Sequence, residues 1–175
     1  MCTSVPMRYY LTAFALAIIF TFINSPLQAV DLPGAQADYI LVEKSERRLT
    51  LFSNNRAIKT YNIALGQVPE GPKLIQGDHR TPEGSYMIDA RNPDSKFHLS
   101  LHISYPNEID QQIAQMAGVV SGGSIMIHGA GEKYEWMGKF HTSLDWTDGC
   151  IAVTNEEIEE IWQLVPEGTP IKIRP

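Results

Sequence analysis

A cysteine and a histidine are the side chains of this sequence best suited to nucleophilic chemistry. Cys150 follows Gly149 directly, and His128 precedes Gly129. A thiol becomes an effective nucleophile only when a nearby base or cation raises its thiolate fraction. Since His128 ends the apolar segment 124–127, we expect its imidazole at a strand end, where it can act as that base.

Roles without catalysis stay open for both residues at this point. A histidine in such a position is often a hydrogen-bonded structural residue. A single cysteine is often a buried apolar thiol, or it forms an intermolecular disulfide. Gly149 favours the catalytic interpretation, since it lets the backbone approach a substrate closely. The amides of Gly149 and Cys150 are then suited to stabilise a developing oxyanion, as acyl transfer requires.

The segment between the two residues supplies further candidates. Residues 129–146 form an 18-residue stretch without steady periodicity, and a loop of this length is usually functional or disordered. His141 lies inside it and has two interpretations. It reaches the substrate or the cysteine, or it packs against neighbouring aromatic residues, which are equally suited to line a groove for a peptide. Those aromatic residues are Trp136, Phe140 and Trp146.

Two arginines are candidates for binding a carboxylate of the substrate. Arg80 precedes Thr81-Pro82, and Arg91 follows a strand predicted over residues 85–90. A guanidinium group binds carboxylates through paired hydrogen bonds. The alternative for both arginines is a solvated charge on a turn, which is also our interpretation of His79.

His98 and His102 bracket Ser100 on a predicted strand, so the three polar side chains share one face. For His102 this pattern favours a position in a groove or a cross-strand hydrogen bond. A metal site would also need clustered carboxylates or a second cysteine, and the sequence offers neither near these histidines. We therefore predict no metal and no cofactor.

The elements that must position these residues are mainly strands. Branched and aromatic residues predict strands at 39–42, 49–52 and 58–65, in an antiparallel meander. Residues 66–84 are rich in glycine and proline and are predicted as a loop. The sequence thus predicts a mainly β fold with short helices, of the α+β class, in a single domain.

Two short helices are predicted from their capping residues. Asn107 caps a helix whose apolar residues share one face and make it amphipathic. These residues are Ile109, Ile113 and Met116. Thr154 and Glu157 form a capping box at the start of a second helix, just after Cys150.

The first residues are typical of a secretory signal. Arg8 is followed by the 13-residue apolar run Leu11–Ile23, a breaker at Pro26 and then Ala29. This run is shorter than the roughly 20 apolar residues of a membrane-spanning helix. We predict a signal peptide over residues 1–29, cleaved after Ala29, with an uncleaved anchor as the alternative. The protein would then be exported to the periplasm or another part of the cell envelope.

Charge and cysteine content narrow the range of partners. The chain has a formal net charge of −6, and removal of residues 1–29 would take away one arginine and no acidic residue. A protein this acidic is not expected to bind nucleic acid. Cleavage also removes Cys2, which leaves Cys150 as a solitary thiol in an oxidising compartment, where cysteines normally occur in pairs.

Three separated motifs resemble the L,D-transpeptidase (YkuD) family. Ile127-His128-Gly129 and Thr147-Asp148-Gly149-Cys150 are similar to its active-site signature, in which a histidine–glycine pair precedes a Ser/Thr-His-Gly-Cys segment. Thr81-Pro82-Glu83-Gly84 is similar to the family's Thr-Pro-x-Gly strand start. The likeness covers residues 38–175 and implies one β-sandwich catalytic domain.

The resemblance implies a role for each residue of the signature. Cys150 would be the nucleophile, His128 the general base and Gly149 part of the oxyanion hole. The carbonyl of Gly129 would orient the base. Thr147 becomes a candidate for a substrate contact or a secondary catalytic role.

The sequence also departs from the family pattern. Asp148 replaces the histidine that usually precedes the Gly-Cys pair, which makes Asp148 a second candidate contact and His141 the candidate for the missing imidazole. The spacing between His128 and Cys150 is longer than is usual in the family. The extra residues fall in segment 129–146, which is therefore a candidate lid.

The resemblance further implies a reaction on peptidoglycan stem peptides. The cysteine would attack the carbonyl on the L-centre of the diamino acid at stem position three, release D-alanine and form a thioester. An amine of another stem, a lysine of a wall-anchored lipoprotein or a free D-amino acid would then resolve it. Two alternatives remain: a hydrolase of the same fold, acting as a carboxypeptidase or amidase, and a non-catalytic wall-binding module.

Overall fold

The computed structural model describes residues 36–175, so the predicted signal peptide lies outside the described residues. The strands are β1 (Tyr39–Glu43), β2 (Arg48–Ser53), β3 (Arg56–Asn62), β4 (Gly84–Ser95), β5 (His98–Ile103), β6 (Met126–His128), β7 (Ile151–Ala152) and β8 (Pro170–Arg174). The α-helices are α1 (Glu108–Met116), α2 (Gly131–Glu135) and α3 (Asn155–Leu164), and Gly138–Ser143 forms a 3₁₀ helix. The predicted class, mainly β with short helices, is confirmed.

The strands form one curled sheet in the order β3-β2-β1-β8-β4-β5-β6-β7. The antiparallel pairs β1–β2 and β2–β3 confirm the predicted meander. β4 joins the two halves, because its first residues pair with β8 and the residues from Ile88 onward pair with β5. Register shifts after Ile88 and after Asn92 bend the strand between these halves. The second half ends in β6 and β7, where the candidate catalytic residues lie.

The core lies between the strands and α3. Alternating strand residues such as Ile40 and Val42 are fully buried, and each such side chain contributes about 1.5–3 kcal/mol on burial. α3 begins with the predicted capping box, in which Thr154 Oγ1 accepts from the Glu157 amide at 3.2 Å and Glu157 accepts from the Thr154 amide at 3.0 Å. Its apolar face is buried against the sheet, which fixes the chain just after β7.

Asn107 caps helix α1 as predicted, but the apolar face of the helix is not buried. Met116 is 88% exposed and Ile109 is 65% exposed, whereas Ala114 is the buried residue of this helix. The Asn107 side chain accepts from the amides of Ile109 and Asp110, so the cap is intact. The spacing of apolar residues predicts which of them share a face, but it does not say whether another element covers that face.

Segment 129–146 is more regular than the sequence suggested. It contains α2 and the 3₁₀ helix instead of a continuous loop. Both elements are short, and neither has a side-chain cap at its start, so the usual signals of a helix are missing. Within residues 36–175, none of the helices has the length and hydropathy needed to cross a membrane.

Candidate active site

Two short parallel strands at the end of the sheet bring the candidate catalytic residues together. β6 pairs with β7 so that His128 lies opposite Ala152. Cys150 stands two residues before Ala152, and side chains two residues apart on an extended chain point to the same face. Cys150 and His128 both line one cavity of about 570 Å³.

The ring of His128 is held by its own neighbour and by aromatic residues. Nδ1 lies 2.7 Å from the carbonyl oxygen of Gly129. Because a carbonyl only accepts, Nδ1 carries the proton and Nε2 carries the lone pair. Phe97 stacks on the imidazole with ring centroids 4.3 Å apart, and Trp146 meets it edge-on at 5.8 Å.

Burial sets the charge of this imidazole. The residue is 2% exposed, and this desolvation lowers the pKa of His128 to about 4, against the opposing effect of the Gly129 carbonyl. Electrostatic interactions with the His141 imidazole and the Lys96 ammonium lower it further. His128 is therefore neutral at pH 7, which is the form that accepts a proton.

The backbone around the cysteine is a turn held by a threonine hydroxyl. Thr147 Oγ1 donates to the Cys150 carbonyl at 2.7 Å and accepts from the Gly149 amide at 3.1 Å. Both polar functions of this hydroxyl are thus used inside the turn. Thr147 therefore positions the cysteine. It also lines the cavity that Cys150 and His128 share, and its contact with the substrate stays a prediction.

Gly149 is required by backbone geometry and space. Its φ is +126°, and a Cβ there would lie 2.6 Å from the carbonyl oxygen of Arg80. Its amide donates to the Thr147 hydroxyl. The role of the Gly149 and Cys150 amides in stabilising an oxyanion stays a prediction.

The thiol is neutral in its present surroundings. Cys150 Sγ lies 3.6 Å from the Ser124 carbonyl, to which the thiol donates. Burial raises the pKa of the Cys150 thiol, and the charge of Asp148 adds to this effect. A hydrogen bond from the Met126 amide and the charge of Lys73 act in the opposite direction. The ground state is therefore a thiol beside a neutral imidazole, and not an ion pair.

The segment that contains Thr81 forms the frame behind the turn. Its Oγ1 accepts from the Gly66 amide at 3.0 Å, and its carbonyl accepts from the buried ammonium of Lys44 at 3.0 Å. Lys44 also pairs with Glu83 at 2.8 Å. This buried pair fixes the segment whose Arg80 carbonyl packs against Gly149. The Thr-Pro-Glu-Gly motif is thus a support for the cysteine turn.

Cys150 lies between two cavities of different character. The first, here called the aromatic cavity, is lined by Phe97, His128, Tyr134, Trp146, Asp148 and Cys150, among others. The second, here called the polar cavity, has a volume of about 480 Å³. It is lined by Lys73, Gln76, His79, Ser124, Asp148 and Cys150, among others. A substrate group can therefore approach the sulfur from two directions.

The polar cavity contains a residue that the sequence analysis assigned to solvent. His79 Nδ1 lies 2.9 Å from Asp148 Oδ1, and Gln67 Nε2 donates to the same oxygen at 3.3 Å. Asp148 is thus brought to the site as predicted. His79 was missed because its partner is 69 residues away in the chain and no local pattern connects them.

Two other predicted contact residues, Arg80 and Arg91, line neither cavity at Cys150. Arg80 donates to the Glu70 carbonyl. Arg91 donates to the Trp162 carbonyl at 2.5 Å and lies over the Trp162 ring at 4.0 Å. Backbone carbonyls thus hold both guanidinium groups, and the binding of a substrate carboxylate by these arginines stays a prediction.

His102 makes a cross-strand contact, one of the two interpretations offered for it. Its Nδ1 lies 2.5 Å from Asp89 Oδ1 on the adjacent strand β4, and it lines neither cavity at Cys150. His98 pairs instead with Glu159 of α3 at 2.7 Å. Among residues 36–175, no group of three or more His, Cys, Asp or Glu is arranged to hold a metal ion.

His141 is buried and lines neither cavity at Cys150. Its ring meets Trp146 edge-on, with centroids 6.1 Å apart, and it does not line the aromatic cavity. Burial lowers the pKa of His141, against the charge of Glu157. The packing interpretation is therefore the right one, and the imidazole near Asp148 comes from His79. Trp136 and Phe140 are exposed outside the cavity, whereas Trp146 lines it.

Comparison with known proteins agrees with this geometry. Residues 37–173 match the profile of the YkuD family, described as the L,D-transpeptidase catalytic domain. The chain belongs to this L,D-transpeptidase family. It is 32% identical to YafK of Escherichia coli (strain K12) over 133 residues, which cover 73% of this chain and 46% of YafK. It is 26% identical to YqjB of Bacillus subtilis (strain 168) over 166 residues, 91% of this chain and 84% of YqjB.

Both relatives are named as L,D-transpeptidases without the activity being established. Among solved structures, Bd1075 of Bdellovibrio bacteriovorus has a TM-score of 0.59 at 26% identity, over 85% of this chain and 51% of that one. The helical cell shape determining protein Pgp2 of Campylobacter jejuni has a TM-score of 0.62 at 22% identity, over 81% and 48%. At 22% identity, the likeness to Pgp2 shows a shared fold and nothing more. The L,D-transpeptidase-like chain described here spans about half the length of YafK, Bd1075 and Pgp2.

Proposed function

We propose that this protein is a cysteine acyltransferase that acts on peptidoglycan stem peptides as an L,D-transpeptidase. The observation that carries the proposal is the common cavity of Cys150 and His128, in which the Gly129 carbonyl leaves Nε2 of the imidazole free to accept a proton. Family membership supports the choice of substrate. The exported location rests on the predicted signal peptide.

In the first step the thiol proton moves to Nε2 of His128 while Sγ attacks the carbonyl on the L-centre of the diamino acid. The neutral state of both groups makes this a general-base step, in which proton transfer accompanies attack. The tetrahedral intermediate collapses to a thioester. His128 then returns the proton to the amino group of the departing D-alanine.

An amine or a water molecule completes the reaction. The polar cavity is lined by Cys150 but not by Phe97, Tyr134 or Trp146, so an acceptor can approach the thioester there. A stem-peptide amine gives a cross-link, a lipoprotein lysine gives an anchor and a free D-amino acid gives an exchange product. Water can enter the same cavity, so hydrolysis is a competing outcome.

The test is incubation of the protein with purified tetrapeptide muropeptides, followed by separation of the products by mass. A transferase gives cross-linked dimers, or exchanged stems when a free D-amino acid is added. A hydrolase gives tripeptide stems alone. Unchanged muropeptides, together with a thiol that a carbapenem does not label at neutral pH, would contradict both and support a wall-binding module.

A further inference from the structure

A second imidazole lies in the other cavity that Cys150 lines. His79 lines the polar cavity together with Cys150, and its Nδ1 lies 2.9 Å from the Asp148 carboxylate. Since a carboxylate only accepts, Nδ1 donates to it, and in the neutral imidazole Nε2 carries the lone pair. His79 thus has the same tautomer as His128, with a carboxylate in place of the backbone carbonyl.

The backbone of His79 is held in an uncommon conformation. Its φ is +53°, in the left-handed region that side chains with a Cβ rarely occupy. Its carbonyl accepts from the Val68 amide at 3.1 Å. A Cβ on Gly66 would lie 2.2 Å from this carbonyl oxygen and 3.1 Å from the Cα of Gly149, so the three backbones are close together. Residues held in this way cluster at functional sites. The backbone of His79 is therefore fixed against the cysteine turn.

The neighbouring residue Asp78 fixes the same loop from the other side. It accepts from the Lys73 ammonium at 2.7 Å and from the backbone amides of residues 74, 75 and 80. Burial opposes the ionisation of Asp78, but these bonds lower its pKa to about 2. The loop that presents His79 is thus rigid at neutral pH.

His128 is poorly placed to serve an acceptor that enters through the polar cavity. It lines the aromatic cavity and not the polar one. Stacking on Phe97 and the contact with Trp146 fix its ring on that side. An amine in the polar cavity would instead lie among His79, Asp148 and Cys150. The second step of the reaction therefore has its own candidate base.

We propose that His79, oriented by Asp148, accepts the proton of the amine that resolves the thioester on Cys150. This inference rests on the proposed acyltransferase function. The amine nitrogen forms a bond to the thioester carbon, the carbon–sulfur bond breaks and its electron pair stays on Sγ. One amine proton moves to Nε2 of His79. The imidazolium then gives this proton to solvent, and the thiolate takes one up, so the enzyme returns to its starting state.

The test separates the two steps in the variant His79→Gln. The first step is measured as thioester formed and D-alanine released in a single turnover, by rapid quench and intact mass. The second is measured as transfer of the acyl group to free D-methionine. Glutamine keeps a hydrogen-bond donor for Asp148 but accepts no proton. We expect thioester formation to stay near the wild-type rate and transfer to fall by about 10²-fold or more.

His98→Gln is the matched control for this experiment. His98 also has a positive φ, of +77°, and its Nε2 lies 2.7 Å from a carboxylate, that of Glu159. It lines neither cavity at Cys150. We expect this variant to match the wild-type protein in both steps.

Each outcome decides between the proposals. Equal losses of thioester formation and transfer in His79→Gln would give His79 a structural role only and overturn the inference. Wild-type transfer in that variant would also overturn it and leave the acyltransferase proposal standing. A wild-type protein that forms no thioester would overturn both.

Discussion

The two sides of Cys150 differ in how each holds an imidazole. On the aromatic side, His128 is 2% exposed, stacked on Phe97 and bonded to the carbonyl of the next residue. On the polar side, the His79 side chain is 46% exposed, and its partner Asp148 is 83% exposed. Burial thus fixes the protonation state of one imidazole, whereas the other remains in contact with solvent and with an entering acceptor. The difference suggests separate tasks, with activation of the thiol on one side and resolution of the thioester on the other.

The difference between the two sides predicts that the largest loss of thioester formation comes from a change of the buried imidazole, His128. We expect His128→Gln to slow thioester formation by about 10²–10⁴-fold, because the thiol loses the base that takes its proton. Single-turnover quench and intact mass measure this rate. His98→Gln should match the wild-type protein in the same assay, and wild-type thioester formation by His128→Gln would remove the functional difference between the two sides.

The next largest effect is expected in the turn before Cys150, where a substitution of Gly149 should reduce the stability of the fold. Gly149→Ala places a Cβ 2.6 Å from the Arg80 carbonyl at a φ of +126°. We expect the free energy of unfolding to fall by about 1–3 kcal/mol from backbone strain, with a further loss from the clash. Urea denaturation measures the total change in the free energy of unfolding.

Gly168→Ala is the control for that measurement. Gly168 also has a positive φ, of +87°, but a Cβ there meets no atom within 4 Å. This variant therefore carries strain without a clash. Equal losses in the two variants would show that the Arg80 carbonyl does not confine the cysteine turn.

A smaller loss is expected from the hydroxyl inside the turn. Thr147→Val removes the bonds to the Cys150 carbonyl and the Gly149 amide at nearly constant shape. A typical hydrogen bond contributes about 1 kcal/mol, so we expect a loss of that order in stability and slower thioester formation. Thr147→Ser keeps the hydroxyl and should retain the wild-type rate. If Thr147→Val keeps that rate too, the hydroxyl does not position the sulfur.

The smallest effect is a shift in pH dependence. His128 must be neutral to accept the thiol proton, so thioester formation should fall as the pH drops through about 4. Phe97→Ala lets solvent reach the ring, which raises its pKa toward the ordinary value of 6.5 and moves the loss of activity to higher pH. A pH–rate profile of each protein measures the shift. A wild-type profile that already falls near pH 6.5 would mean that burial does not set the charge of His128.

The features that sequence predicts well are those encoded by neighbouring residues. The meander follows from strand patterns, and α3 follows from its capping box at Thr154 and Glu157. The contact between His128 and Gly129 is likewise local, since adjacent residues make it. Such features depend on short-range geometry, which a single sequence carries.

The features that sequence predicts poorly depend on distant segments. Asp148 meets His79 across 69 residues, and Asp145 meets Arg47 across 98. The exposed face of α1 shows the same limit, because periodicity groups Ile109 and Met116 without specifying what covers them. Segment 129–146 was predicted as a loop because its two short helices have no side-chain caps.

The most direct measurement is the intact mass of the protein after brief incubation with a purified disaccharide tetrapeptide. We expect an adduct equal in mass to the muropeptide less D-alanine, carried by the proteolytic peptide that contains Cys150. The adduct should be absent in Cys150→Ser. An acyl group on another residue, or release of D-alanine by Cys150→Ser at the wild-type rate, would contradict the assignment of this sulfur as the nucleophile.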